Sequence, residues 1–169
     1  MEDSPRTYVG AATGQRVALS DTLKMSGGCA CGRIRFLAEI DGDAAYLCHC
    51  RMCQRATGSV SIAFKNLPQA SVRWLSPPDW YDSSAIARRP FCGSCGTSLG
   101  FQYLEGTNLD LTVASFDEPG AFKPTAHFGA ESIHEAWLDT SAFPRTRSDD
   151  YQPLVERWAA ATDAPSQAE

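Results

Sequence analysis

The amino-acid sequence predicts a mainly β domain made of small sheets, with little helix. Apolar residues alternate with polar ones along several short stretches, and Asp, Gly and Pro residues separate those stretches. A further observation is the presence of seven cysteines, all grouped in three clusters. With 169 residues, the chain has the length of one domain and can bury a core without disulfide bonds.

Alternating apolar residues mark the predicted strands in chain order. They cover residues 34–40, 60–64, 72–74, 99–103 and 109–113, and further strands are expected at residues 126–128 and 136–138. Turn-forming residues lie between them at positions 41–43, 77–79, 105–107 and 118–120. Short strands punctuated in this way indicate an all-β domain of small sheets.

Helix is expected at two places only. Residues 153–161 are compatible with one helix, and residues 114–121 with a short helical turn. Residues 1–24 are polar, small and aperiodic, which predicts a flexible N-terminal arm. The expected organisation is therefore this arm, a β domain over residues 25–150 that contains all the cysteine clusters, and a short C-terminal helix and tail over residues 151–169.

The charge of the chain argues against nucleic acid as a partner. Lys and Arg number 15 and Asp and Glu number 20, so the net charge is −5, whereas a surface that neutralises phosphates needs an excess of cations. No stretch approaches the roughly 18 apolar residues of a membrane helix, and the first residues lack the apolar block of a signal peptide. We therefore expect a cytoplasmic protein without a membrane partner. The oligomeric state stays open.

Two of the cysteine clusters have the spacing of a closed metal site. Cys92 and Cys95 form a C-x-x-C pair whose flanking glycines permit a tight turn. Such a pair supplies half of a tetrahedral zinc site, and the glycine-flanked pair Cys29 and Cys31 is the natural second half. Four thiolates close the coordination sphere, so the expected role is structural. A redox role for the C-x-x-C pair is less favoured, because the strand-to-helix context of thioredoxin-like motifs is missing.

The third cluster is Cys48, Cys50 and Cys53, and it would leave one coordination position open. Three protein ligands with an open position are the arrangement of catalytic zinc. That position would take water or an external thiol, which zinc holds as a thiolate. His49 lies between two of these cysteines and in a strand would point away from them, so we expect it to pack beside the site rather than bind the metal.

The three clusters together resemble a known family. The segments are Gly-Cys-Ala-Cys-Gly at 28–32, Cys-His-Cys-Arg-Met-Cys at 48–53 and Phe-Cys-Gly-Ser-Cys-Gly-Thr at 91–97. In this order and with these spacings they resemble the glutathione-dependent formaldehyde-activating enzyme (GFA) family, which includes the centromere protein V type. The resemblance covers roughly residues 25–145.

The resemblance implies several small coiled antiparallel sheets around a structural zinc site. It also implies two sets of zinc ligands: Cys29, Cys31, Cys92 and Cys95 for the structural zinc, and Cys48, Cys50 and Cys53 for a second, catalytic zinc. The implied activity is that of a zinc-dependent carbon–sulfur lyase-type enzyme. In that activity, a glutathione-like thiol adds to formaldehyde or a related small aldehyde, as in S-(hydroxymethyl)glutathione synthesis.

The basic residues near the clusters have two interpretations. Arg55, Arg88 and Arg89 would either bind the carboxylates of a peptide-like thiol or offset the charge of the thiolates. We take Arg55 and Arg89 as the candidate substrate-binding residues. The alternative to an enzyme is a non-enzymatic module of the same fold, which would carry thiols or metal or dock a protein partner. The centromere-associated branch of the family suggests a nucleic-acid role, but the net negative charge of the chain argues against it.

Overall fold

The computed structural model describes residues 23–163, which fold into ten strands, two α-helices and several short 3₁₀ turns. All but the last two residues of the predicted flexible arm lie outside the described residues. The strands are β1 Leu23–Gly28, β2 Arg35–Ile40, β3 Ala44–Cys48, β4 Ile62–Pro68, β5 Val72–Trp74, β6 Asp79–Ser84, β7 Ala87–Phe91, β8 Gly100–Tyr103, β9 Asn108–Thr112 and β10 Lys123–Phe128.

The strands form two sheets, and the mainly β prediction is confirmed. The smaller sheet has the order β1-β2-β5, and the larger has seven strands in the order β10-β3-β4-β9-β8-β7-β6. All pairings are antiparallel except that of β3 with β10, which is parallel and places Phe128 beside Cys48. The parallel pair follows from the long connection between these strands, which lets the chain return in the same direction.

The two helices are α1, Arg51–Thr57, and α2, Gln152–Asp163. The sequence did not predict α1, because seven residues are too few for a helical period to stand out. Cys50 precedes α1 and caps it, since its sulfur accepts a hydrogen bond from the Cys53 amide at 3.4 Å.

One strand prediction is wrong. Residues 136–138 were expected to be extended, but the structure has a 3₁₀ turn at Glu135–Trp137. The amide of Trp137 donates to the carbonyl of His134 at 2.9 Å, so the backbone hydrogen bonds are local rather than made to a neighbouring strand. A stretch of three residues is too short for alternation to separate these two states.

Strand β9 shows how the larger sheet separates the core from a cavity. Leu109 and Leu111 belong to the main apolar core, which also includes Phe36 of β2 and Leu67 of β4. Asp110 lies between the two leucines in sequence, so its side chain points to the opposite face of the sheet. That face carries the residues of the candidate site.

The chain forms two compact units. The first ends at Ile133 and contains all the strands and α1, and the second begins at His134 and contains α2. The predicted boundary of the β domain at residue 150 stays a prediction. None of the helices within residues 23–163 has the length and apolar character needed to span a membrane.

Candidate metal centres and active site

The structure brings the first and third cysteine clusters together. The sulfur atoms of Cys29, Cys31, Cys92 and Cys95 all lie within 4.8 Å of one another. Cys29 follows β1 and Cys92 follows β7, and both side chains are buried, whereas Cys31 and Cys95 are exposed. We call this group the four-cysteine cluster.

The dimensions of the four-cysteine cluster fit zinc. A Zn–S distance of about 2.3 Å places the sulfurs of a tetrahedral site about 3.8 Å apart. Here the Cys31 sulfur lies 3.5 Å from that of Cys29 and 3.7 Å from that of Cys92. The two pairs of cysteines therefore form a set of four soft ligands that could hold zinc.

Local hydrogen bonds act differently on the thiols of this cluster: those from neighbouring cysteines help to raise the pKa of the Cys31 thiol to about 11, whereas the pKa of the Cys92 thiol is lowered. The Ile34 amide donates to the Cys29 sulfur at 3.2 Å. Thr97 contacts the Cys95 sulfur at 3.1 Å, and this hydrogen bond is the main cause that lowers the pKa of the Cys95 thiol to about 5. The turn that carries Cys95 ends at Gly96, whose φ of 76° lies in the left-handed region that glycine adopts without strain.

A carboxylate that the sequence analysis missed holds the Cys92–Cys95 turn. Asp79, at the start of β6, accepts a hydrogen bond from the Gly93 amide at 2.6 Å and one from the Arg33 guanidinium. These contacts, that of Gly93 first, hold the pKa of the Asp79 carboxyl below its usual range. Asp79 and Arg33 are 46 residues apart, so no spacing rule reveals the pair.

The middle cluster forms where β3 ends and α1 begins. The sulfur atoms of Cys48, Cys50 and Cys53 lie within 4.8 Å of one another, and we call them the three-cysteine cluster. Cys48 and Cys53 are buried and their sulfurs are 3.4 Å apart, whereas Cys50 is half-buried. The three sulfurs could hold zinc, and they leave one side of a tetrahedral ion without a protein ligand.

The end of β10 fixes this segment from the other side. The His49 amide donates to the Phe128 carbonyl at 2.8 Å. At the next residue, Gly129, a Cβ would lie only 2.7 Å from the Cys50 nitrogen, so only glycine allows the backbones to approach this closely.

Arg89 supplies the positive charge at the three-cysteine cluster. This side chain of β7 is only 1% exposed, and its Nη2 donates to the Cys53 sulfur at 3.4 Å. The hydrogen bond with Cys48 and then that from Arg89 lower the pKa of the Cys53 thiol to about 5, against the effect of burial. Among the described residues, the buried Nε and Nη1 of Arg89 have no hydrogen-bond acceptor.

The three-cysteine cluster opens on a cavity of about 310 Å³. The cavity lies between α1 and one face of the larger sheet, and Arg89 lies in its wall. Most of the lining is apolar and includes Met52. Five aromatic rings contribute to it: Tyr46, Phe64, Phe101, Tyr103 and Phe128. A cavity of this kind can enclose a small organic ligand beside the sulfurs.

A small polar network interrupts the apolar wall. Asn66 and Asp110 are directly opposite each other on β4 and β9, and the Asn66 amide donates to the Asp110 carboxyl at 2.8 Å. Tyr46 also hydrogen-bonds this carboxyl, and Asn108 donates to the Asn66 oxygen at 2.7 Å. Sequence reasoning did not identify these residues, because their contacts join strands that are far apart along the chain.

The other predicted residues lie in different environments. Arg55 is exposed on α1 and is not part of the cavity lining. Arg88 donates to Gln102 at 2.9 Å and stacks on the Trp80 ring, whereas its neighbour Arg89 faces the cavity. His49 is fully buried, and its Nε2 lies 2.9 Å from Nδ1 of His127 on β10, a pairing that the sequence did not reveal.

Comparison with known proteins gives one family. The family model described as "Glutathione-dependent formaldehyde-activating enzyme" matches residues 24–132. An uncharacterized lyase from Schizosaccharomyces pombe is 37% identical over 82 residues. The match covers 48% of this chain and 60% of that protein, so the chain spans three fifths of the length of this curated relative.

A solved structure supports the fold. A crystal structure of a Rhodobacter sphaeroides protein superposes with a TM-score of 0.50 and 21% sequence identity. The superposition covers 61% of this chain and 99% of the other. At this identity the similarity shows the shared fold alone.

Proposed function

Because the chain belongs to the glutathione-dependent formaldehyde-activating enzyme family, as the cysteine clusters predicted, we propose that it is a zinc-dependent carbon–sulfur lyase-type enzyme. It would activate a small, glutathione-like thiol for addition to formaldehyde or a related small aldehyde. The name of the fission-yeast relative, an uncharacterized lyase, supports the same reaction class.

The observation that carries this proposal is the position of the three-cysteine cluster at the wall of a cavity. Cys48, Cys50 and Cys53 are the proposed ligands of the catalytic zinc, and a thiol substrate would approach from the cavity. Zinc bound there would lower the pKa of a coordinated thiol and hold it as the nucleophilic thiolate.

Arg89 is the proposed substrate-binding residue inside the cavity. Two of its buried donors have no protein acceptor within the described residues, so they are available to a carboxylate or to the charge of a bound thiolate. Arg55, the second proposed substrate-binding residue, is exposed on α1. It would act on a distal carboxylate of a longer thiol from the surface of the helix.

The four-cysteine cluster is the proposed structural zinc site. Its ligands Cys29, Cys31, Cys92 and Cys95 would complete a tetrahedral coordination sphere and leave no position for a substrate. One zinc in each cluster is the proposed content of the protein.

The test measures hemithioacetal formation. Zinc-loaded protein is mixed with formaldehyde and glutathione, and the exchange between free thiol and adduct is followed by NMR. We expect exchange faster than the uncatalysed reaction. The Cys50→Ser variant should lose the acceleration and keep the α1 cap, since Ser is a good N-cap residue.

A matched variant, Ser59→Ala, changes an exposed residue beyond the C-terminal end of α1, and it should retain the acceleration. No acceleration by the wild-type protein across several thiols and aldehydes would contradict the proposal. It would favour a non-enzymatic zinc or protein-interaction module.

A further inference from the structure

Among the residues that the structure describes, Asp110 contributes the only carboxyl group in the wall of the cavity. It is 7% exposed and lies in the middle of β9, with Asn66 of β4 on one side and Phe101 of β8 on the other. The three-cysteine cluster and this carboxyl therefore line the same enclosed space. A small aldehyde in the cavity would share that space with both kinds of group.

The hydrogen-bond partners of Asp110 are neutral. Asn66 donates to one of its oxygens at 2.8 Å, and Tyr46 makes a second hydrogen bond. None of the ion pairs among residues 23–163 includes Asp110. A buried carboxylate without a cationic partner is unfavourable, so this residue costs stability in its charged form.

Burial raises the pKa of the Asp110 carboxyl above its usual range, although the hydrogen bonds with Asn66 and Tyr46 act in the opposite direction. The titratable groups that face Asp110 are thus Tyr46 from β3 and Cys53 from α1, with Arg89 in the wall contributed by β7. A carboxyl in this setting can give up and take back a proton closer to neutral pH than an exposed one.

We propose that Asp110 is the catalytic acid and base that exchanges a proton with the oxygen atom of the aldehyde. The inference rests on the proposed thiol–aldehyde reaction and adds to it the group that handles the oxygen. Asn66 and Tyr46 act as positioning residues, because they orient the carboxyl toward the cavity.

The proton balance of the step is complete. In the addition, the thiolate sulfur forms a bond to the carbonyl carbon, and the electron pair of the C=O π bond moves to the oxygen. That oxygen takes the proton of the Asp110 carboxyl and becomes the hydroxyl of the adduct. Asp110 then recovers from solvent a proton equivalent to the one that the thiol released. In the reverse direction, the carboxylate removes the hydroxyl proton while the C–S bond breaks and the aldehyde leaves.

The experiment compares Asp110→Asn with the wild-type protein in the NMR exchange assay, with zinc content and thermal unfolding measured for both. Asn keeps the size and the hydrogen-bonding capacity of the side chain but cannot transfer a proton. We expect an exchange rate at least about 100-fold lower, unchanged zinc content, and a Tm that is equal or higher because a buried charge has been removed. The exposed carboxyl of Asp82, on β6, provides the matched variant Asp82→Asn, which should exchange at the wild-type rate.

The outcomes separate the two proposals. A wild-type protein that does not accelerate exchange overturns the proposed function, and this inference falls with it. A wild-type protein that accelerates exchange, together with an Asp110→Asn variant within twofold of it, overturns the inference alone.

A second variant keeps the test decisive if Asp110→Asn does not fold. Asn66 is exposed, and its hydrogen bond lowers the pKa of the Asp110 carboxyl. In Asn66→Ala that pKa should rise, so the pH at which the addition rate declines should move upward. A pH profile identical to that of the wild-type protein would overturn the inference.

Discussion

The two cysteine clusters both offer sulfur ligands, but they differ in how far apart along the chain those sulfurs lie. In the four-cysteine cluster the sulfurs come from two loops, and Cys31 and Cys92 are 61 residues apart. In the three-cysteine cluster all the sulfurs come from one short segment, and Cys48 and Cys53 are only five residues apart. A metal in the first cluster would close a long loop of the fold, whereas a metal in the second would close only a short one.

This difference suggests separate roles for the clusters, one in the stability of the fold and the other in chemistry on a ligand. Closing a long loop removes more conformational freedom from the unfolded chain than organising a short one. Binding of a structural zinc contributes its free energy to folding. We therefore expect the fold to depend on the four-cysteine cluster. The three-cysteine cluster, at the junction of β3 and α1 and beside a cavity, is placed to act on a ligand.

The largest expected effect is the loss of a ligand from the four-cysteine cluster. Structural zinc sites contribute about 10 kcal/mol, which is comparable with the total stability of a domain. The buried ligand variant Cys92→Ser should therefore show no cooperative thermal unfolding, as followed by circular dichroism. Cys50→Ser, the matched ligand variant of the other cluster, should retain a cooperative transition and lose one zinc per chain by elemental analysis.

Equal loss of structure in these two variants would contradict the comparison, because both clusters would then be structural. Full retention of structure by Cys92→Ser would also contradict the comparison, since the fold would then not depend on the four-cysteine cluster.

Features of the two clusters that depend on residues close together in the sequence could be predicted from the sequence alone. Cysteine spacing is local, so the sequence alone placed the ligands in three groups. Period-two alternation likewise located β2, β4, β8 and β9, because it depends on the burial of one face of each strand.

Contacts between distant strands could not be predicted in this way. The register that sets Asn66 opposite Asp110 depends on how β4 pairs with β9, and the Arg33–Asp79 pair depends on two loops meeting. The parallel pairing of β3 with β10 could not be predicted either, since the alternation of apolar residues in a strand does not specify which strand lies beside it. The polar part of the cavity therefore emerges only from the three-dimensional structure.

An intermediate effect should come from the charge at the three-cysteine cluster. Replacing Arg89 by Lys keeps one positive charge but removes the guanidinium donors that are free to bind a carboxylate. We expect kcat/KM in the NMR assay to fall about tenfold for glutathione, in keeping with the loss of one charge-assisted hydrogen bond. For 2-mercaptoethanol, which has no carboxylate, the decrease should be smaller.

The variant Arg88→Lys is the control, because Arg88 contacts Gln102 and Trp80 instead of the cavity. Equal decreases for both thiols in Arg89→Lys would assign Arg89 to the charge of the thiolates rather than to the carboxylate of the substrate.

The smallest expected effect concerns the carboxylate that holds the four-cysteine cluster. Asp79 accepts hydrogen bonds from Gly93 and Arg33, and its folded-state pKa is lower than the usual value of about 3.9. Its contribution to stability is therefore present above the unfolded-state pKa and is lost as the pH falls through the folded-state pKa.

Asp79→Asn should lower the Tm slightly at pH 7, and the difference from wild type should shrink in acid. The exposed control Asp82→Asn should show no such difference. A Tm difference for Asp79→Asn that stays constant down to pH 3 would mean that the carboxylate charge does not stabilise the Cys92–Cys95 turn. The four-cysteine cluster would then owe its stability to the metal and the backbone alone.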